Sequence, residues 1–366
     1  MPPHFSIEEK SYWIAWSHIG NVGPHTAQAL RTHFGNLQKA WQAPDDALAQ
    51  LGISPKALRY LLKRRREIDV EHCVRNLARF DIQALCIPEP DYPELLRQSP
   101  GAPYVLYVKG KLAMLPSIAI VGTRTMSRYG KIVTQDFSRR LASAGCSIVS
   151  GLALGVDACA HQAAYEANGH TVAVFGSGLD GIYPSANFHL AEQILAHGGA
   201  WISEFPPGTL VQARNFPQRN RIIAGLSLAT IVIEAGEKSG ALITARAALE
   251  ANREVFAVPG QITSPQSLGT NRLIQEGATP LLQAAEILQN LQLKPLSSPA
   301  NSPLPPVNLS SEEADILACF QSEALHLDQL IERSKMPSQR VLQLCAQLEL
   351  KGCIRAVDGG QYLLQR

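Results

Sequence analysis

The chain predicts an α/β protein with a doubly wound parallel sheet at its centre. Three observations carry that reading. Between residues 117 and 291, short apolar runs alternate with stretches of helical periodicity. The runs are continuously apolar, as strands covered on both faces are. Each run ends in a loop that carries glycine, a hydroxyl or a cation.

Taken in order, residues 1–83 read as a small helical domain of helix-hairpin-helix, SAM-like type. In Ile14–Gly35 a helix ends near Ile19, a turn follows at Gly20–Gly23, and a second helix starts at Pro24 with Ala27, Leu30 and Phe34 at helical spacing. Such a turn offers backbone N–H groups to a phosphate. A looser echo follows at 48–66 and ends in the basic run Lys63–Arg66. The bland reading, that the hairpin only packs helices and the run is a solvated face, is slightly favoured. Residues 84–116 hold Pro88, Pro90, Pro93, Pro100 and Pro103 and lose periodicity; they read as a connecting segment whose Tyr104–Val108 strand extends the next sheet.

In the central domain, 117–291, the strand candidates are Ile118–Val121, Ser147–Val149, Val172–Phe175, Trp201–Ser203, Ala229–Ile233 and Val255–Val258. Helices are expected between them, as at Arg128–Ala144, Val156–Asn168, Ala186–His197 and Ala241–Ala251. The pattern is Rossmann-like, and such sheets bind ligands at the carboxyl ends of their strands. Those ends carry Gly122, Thr123, Arg124 and Ser127, then Ser150 and Gly151, then Gly176–Gly178, then Ser203 and Glu204, then Lys238, Ser239 and Gly240. Glycines let backbone N–H groups approach an anion, and helix N-termini favour negative charge. Several such loops on one rim suggest a site for several phosphates.

The fourth loop leads to RNFPQRNRIIA, residues 214–224, where Arg214, Asn215, Phe216, Arg219, Asn220 and Arg221 cluster before an apolar run. Pro217 suits the first turn of a helix. Guanidinium forks and amides suit phosphate oxygens, and an aromatic ring suits a nucleobase. A solvated basic turn with Phe216 in the core is the alternative.

Cofactors are disfavoured. The first loop reads GTRTMS rather than GxGxxG, no acidic residue closes a second strand, and no GxxxxGK[ST] occurs. A row of phosphates without a metal fits single-stranded nucleic acid. Asp157 and His161 are spaced i, i+4 and could share one helix face, with capping or dipole neutralisation in a first turn the better role for Asp157; Glu204 and Glu234 end strands at the rim, where general bases can sit, and are expected rather as buried ion-pair partners of the arginines. No catalytic Ser-His-Asp order and no metal cluster stands out.

The segments GTRTMSRYG, SGLALGVDACAH, FGSGLDGIYP, SEFPPG, RNFPQRNRIIAGLS, EAGEKSGALITARAALE and FAVPG…GTNRLIQEGA together resemble the DNA-processing protein A family, DprA or Smf. They cover nearly the whole central domain in order. The resemblance implies a Rossmann-fold, non-catalytic protein that binds single-stranded DNA, dimerises, protects incoming DNA in natural transformation and helps load the RecA recombinase. It implies a phosphate pocket of Gly122, Thr123, Arg124, Ser150, Gly151, Lys238, Ser239 and Gly240, lined too by Phe216 and its neighbouring arginines. Thr123 stands where serine is common in the family, which keeps a hydroxyl. The rival is a Rossmann-like phosphoribohydrolase cleaving an N-glycosidic bond. Its PGGxGTxxE loop has no counterpart, since EKSGALITA is followed by no glutamate until Glu250.

The tail begins with a Pro-rich linker, 292–309. Helical patterns at Ser310–Gln321, Leu327–Ser334 and Ser338–Leu350, then a hairpin strand GGQYLL, read as a winged-helix domain over 310–366. Its last helix offers only Arg340 and Lys351 as cations, which favours a protein-contact or regulatory module. A transcription regulator is the third reading, and weak charge counts against it.

Charge is 14 basic against 11 acidic side chains in 1–116, 12 against 12 in 117–291 and 7 against 8 in 292–366, so nucleic-acid binding must come from local concentration. The seven scattered cysteines form no CxxC pair and read as reduced thiols of a cytoplasmic protein. No apolar run is long enough for a transmembrane helix, and MPPHFSIEEK does not read as a signal peptide.

Overall fold

The computed structural model describes residues 6–293, 310–320, 325–351, 353–357 and 361–364. Most of the expected linker, and Gly359 and Gly360 of the expected hairpin strand, lie outside the described residues. The chain forms two compact units, Met1–Ser298 and Pro299–Arg366.

The first unit is built on a nine-stranded sheet. Its strands are β1 (Gln83–Cys86), β2 (Val105–Gly110), β3 (Ser117–Val121), β4 (Ser147–Ser150), β5 (Thr171–Val174), β6 (Ala200–Ser203), β7 (Ala229–Val232), β8 (Glu254–Ala257) and β9 (Thr279–Pro280). The order across the sheet is β1-β2-β6-β5-β4-β3-β7-β8-β9. From β6 to β9 every pair is parallel, whereas β2 pairs antiparallel with β6 and with β1. The strand expected in the connecting segment therefore does extend the sheet, and β1 adds a further edge strand that periodicity did not single out.

Alternation explains the layers. Ile118 and Ile120 of β3 face one core with Phe137, Leu141, Ala160 and Ile287. Ala119 and Val121 face the other with Ile222, Ile223, Ala245 and Ala248. Successive side chains of a strand point to opposite faces, so continuous apolar strands need helices on both sides. The helix Arg128–Ser143 starts where the Ser127 hydroxyl accepts from the Gly130 N–H at 3.0 Å. The helix Val156–Glu166 starts after Gly155 at φ +81°, where a Cβ would stand 2.3 Å from the Thr123 carbonyl oxygen.

The helices before residue 83 share a core with one end of this sheet. Trp13, Trp16 and Ile19 bury with Tyr104, Tyr107 and Trp201. The Ser17 and Tyr107 hydroxyls meet at 2.5 Å, and the Tyr104 hydroxyl donates to the Val22 carbonyl at 3.2 Å. The helix-hairpin-helix pattern appears as helices Ile7–Ser17 and Pro24–Phe34 around the glycine turn.

The second unit holds helices Ser311–Ala318, Leu327–Ser334 and Ser338–Leu350 and a three-stranded sheet, β10 (Leu325–His326), β11 (Ile354–Val357) and β12 (Gln361–Leu364), ordered β10-β12-β11. Ile316, Leu330, Val341, Leu344 and Leu348 form its core. Three helices and a wing make this the expected winged helix. Arg340 donates to Glu312 at 3.0 Å, and Lys351 to Glu313 at 2.7 Å.

Candidate nucleic-acid interface

Strand order reverses at β3. The chain runs outward from β3 through β4 and β5 to β6, then returns to lay β7 on the other side of β3. Connections leaving two adjacent strands in opposite directions open a crevice at their carboxyl ends. A cup of about 690 Å³ sits there. Gly122, Thr123 and Arg124 line it from the loop after β3, and Gly236, Lys238, Ser239 and Gly240 from the loop after β7. The helix Asn215–Gly225 supplies Phe216, Arg219 and Asn220.

Two cations of the cup face solvent. Arg124 and Lys238 are exposed, and among the described residues neither forms an ion pair. The Ser239 hydroxyl caps the helix Gly240–Glu250, accepting from the Ala241 N–H at 3.3 Å. A Cβ on Gly240 would meet nothing within 4 Å, so the backbone there is open to a ligand.

Phe216 is half-buried, as neither extreme of the sequence reading required. The Arg124 and Arg219 guanidinium carbons lie 5.9 and 5.8 Å from its ring centroid. Tyr183, 48% exposed, stands 5.7 Å from it centroid to centroid. Two rings and two guanidinium planes thus line one cup.

Arg219 differs from Arg124. It is 5% exposed and donates to the carbonyls of Gly151, at 2.6 Å, and of Val174. Burial lowers its pKa to about 10, with the buried Asp157 opposing the shift and Arg124 adding to it. Asp157 accepts from the Gly151 N–H at 3.1 Å, and burial raises its pKa against the pull of Arg219. Asp157 therefore stands in the first turn of its helix, as expected, and in addition lines the cup as the counter-charge of Arg219. His161, one turn on along the same helix, bonds Thr171 at 2.7 Å.

The other candidate residues stand outside the cup lining. Ser127 donates from its hydroxyl and its N–H to Glu234, at 2.5 and 2.8 Å. That occupies Glu234 with a serine, where an arginine was expected. Ser150 is fully buried and donates to the Ile120 carbonyl at 2.6 Å. Gly151 packs on Arg219. Asn215 is buried and donates to the Gly176 carbonyl at 3.0 Å. Arg221 pairs with Glu204, as the sequence suggested. Arg214, Asn215 and Arg221 line a different cavity, across the helix from the cup.

Tyr183, Ile243 and Thr244 also line the cup and were not singled out, and Pro217, expected only as a first-turn residue, lines it too. Tyr183 lies in the FGSGLDGIYP segment, but nothing in its spacing announces a ring beside Phe216. Among the described residues no cluster of His, Cys, Asp or Glu is placed to hold a metal ion, and no helix is long and apolar enough to cross a membrane.

Known proteins share this sequence and fold. The model of the family DNA recombination-mediator protein A matches residues 83–292, and that of the DprA winged helix domain matches 299–360. Protein Smf of Synechocystis is 36% identical over 97% of this chain and 98% of its own length. Protein Smf of Escherichia coli is 42% identical over 75% of each chain. The X-ray structure of DprA from Streptococcus pneumoniae covers 78% of this chain and 98% of its own, with 33% identity and a TM-score of 0.64. A solved structure of DNA processing protein A from Helicobacter pylori, whose single-stranded DNA binding mode is described as unique, covers 58% of this chain and 96% of its own, with 30% identity and a TM-score of 0.53. With a model that matches more than half of its length and a relative aligned almost end to end, this chain belongs to the DNA recombination-mediator protein A family, DprA/Smf.

Proposed function

We propose that this protein binds single-stranded DNA in the cup, without catalysis, and serves recombination of incoming DNA by delivering the strand to the RecA recombinase. The observation that carries the reading is Phe216. It is a half-exposed ring between two guanidinium groups, beside a solvent-facing tyrosine. Buried rings pack cores; a ring left open among cations suits a base stacked over a phosphate chain. Arg124 and Lys238 supply charge not already spent on a carboxylate, and the open backbone at Gly240 lets a phosphate approach.

The same geometry supports a non-catalytic role. The two buried acids beside the cup are committed, Asp157 to Gly151 and Arg219, Glu234 to Ser127. Neither is left as a poised general base. The winged helix ties Arg340 and Lys351 to Glu312 and Glu313, which suits a protein-contact or regulatory module better than a duplex reader. Dimerisation, cytoplasmic location and the contact with RecA follow from family membership and are part of the proposal.

The test is photochemical crosslinking of a 5-iodouracil oligonucleotide, with the modified peptide identified by mass spectrometry. Attachment at Phe216 or Tyr183 is expected. Attachment confined to the winged helix would reject the cup. In parallel, release of free base from nucleoside monophosphates would reject the non-catalytic role.

A further inference from the structure

The helix Asn215–Gly225 has a second cavity on its other side, of about 570 Å³. The glycine turn of the hairpin, Gly20–Gly23, forms one wall. Glu204, Arg221 and the exposed Arg214 and Gln218 form the opposite wall. The fold's own packing leaves its polar groups incompletely satisfied. Three buried atoms on its lining residues have no hydrogen-bond partner among the described residues: His18 Nε2, Glu204 Oε1 and Arg221 Nη1. Buried polar atoms are normally paired, and each exception calls for a reason.

We infer that this groove is a second subsite, which receives an unpaired nucleobase of the same strand that occupies the cup. The inference rests on the proposed single-strand reading of the cup. The exposed Gln218 amide on the groove wall offers an acceptor and a donor side by side. That pairing matches a base edge, whereas the Glu204 carboxylate would repel a phosphate. Burial holds the His18 pKa down to about 4, with Arg64 and His72 adding to the effect, so the ring brings no positive charge to the groove wall at pH 7. Glu204 is held in place by Arg221, while burial raises its pKa.

A path joins the two sites. Arg214 stands immediately before the first residue of the helix, is exposed, and forms no ion pair among the described residues. Phe216 and Pro217 line the cup, and Arg214 and Gln218 line the groove, so the first turn is a shared ridge. A strand crossing it needs one cation at the crest for its phosphates, and Arg214 is that cation.

The experiment compares oligo-dT of about 4 and about 16 nucleotides, lengths that bracket the site sizes of single-strand binders. Binding to the full-length chain is measured for Gln218→Glu, Arg214→Ala, Arg124→Ala and Lys238→Ala. Gln218 and Arg214 are exposed, and unchanged thermal midpoints establish that these variants are folded. The expected result is an affinity drop of about tenfold for the long oligonucleotide in Gln218→Glu and in Arg214→Ala, with the short one changed less than about twofold. Equal drops at both lengths, or none at either, would overturn the second subsite. If Arg124→Ala and Lys238→Ala leave both lengths unaffected, the cup reading itself has failed, whatever the groove variants do.

Discussion

Gly151 and Arg219 are fitted to each other. The Gly151 carbonyl accepts from Arg219 Nη1 at 2.6 Å, and a Cβ on Gly151 would stand 2.6 Å from the guanidinium carbon. The bare backbone lets a buried cation reach across from the helix Asn215–Gly225 to the end of β4, while Asp157 balances its charge. The floor of the cup depends on this fit.

Arg219→Ala should therefore act on stability first. Its loss leaves the buried Gly151 carbonyl that it bonds unsatisfied and the buried Asp157 without an opposing charge, at a cost of about 1–3 kcal/mol. Gly151→Ala should also destabilise, because a methyl group cannot share the guanidinium's space. Chemical denaturation with the linear extrapolation measures both; a destabilisation below about 1 kcal/mol in Arg219→Ala would contradict the structural role.

Arg124→Ala and Lys238→Ala should act on binding alone. Each side chain is exposed and forms no ion pair among the described residues, so folding stability should change little. Removing one cation that neutralises a phosphate should lower the slope of log affinity against log salt by about 0.7 for a single strand. The slope from a salt series in each variant checks this, and an unaltered slope would remove that residue from the strand's path.

Phe216→Ala separates stacking from packing. A stacked base predicts a binding penalty of about 1–3 kcal/mol. A fully buried ring such as Phe256 should instead cost about 3–5 kcal/mol of stability when cut to alanine. The expected pattern for Phe216→Ala is a large fall in affinity with a melting shift well below that of Phe256→Ala.

Acid should weaken the fold through His161. Burial lowers its pKa to about 3, and Arg219 adds to the shift. The folded value lies below the ordinary 6.5, so the unfolded chain takes up the proton first as pH falls. The stability contributed by the neutral ring is complete above pH 6.5 and declines towards pH 3, by about 2 kcal/mol at pH 5. Asp157 and Glu204, with raised pKa values, work in the opposite direction, so the comparison of interest is His161→Gln against the parent chain. Their stability difference should shrink between pH 7 and pH 5; a difference independent of pH would refute the assignment.

The sheet was legible because its code is local. Continuous apolar runs marked the six strands β3 to β8 to within about a residue at each end, and the residues after β3 and β7 marked the cup. What sequence could not say was which way a polar side chain at a strand end turns. Ser150 and Thr123 both follow an apolar run, yet Ser150 is bonded to β3 inside the sheet while Thr123 lines the cup. Arg219 and Arg221 are two residues apart on one helix, so they point to different sides. One is buried beneath the cup and the other pairs with Glu204 across the helix. Periodicity could place them apart, but only the neighbouring strands determine which side is solvent. β1 escaped because it is an edge strand that opens on an exposed glutamine, and β9 because it spans two residues.

The most direct test of the central claim is fluorescence anisotropy of a labelled oligo-dT against the matching duplex, over a salt series with the full-length protein. A cup lined by cations and open rings predicts tight, salt-sensitive binding to the single strand and much weaker binding to the duplex. Equal affinity for both, or single-strand binding indifferent to salt, would contradict it.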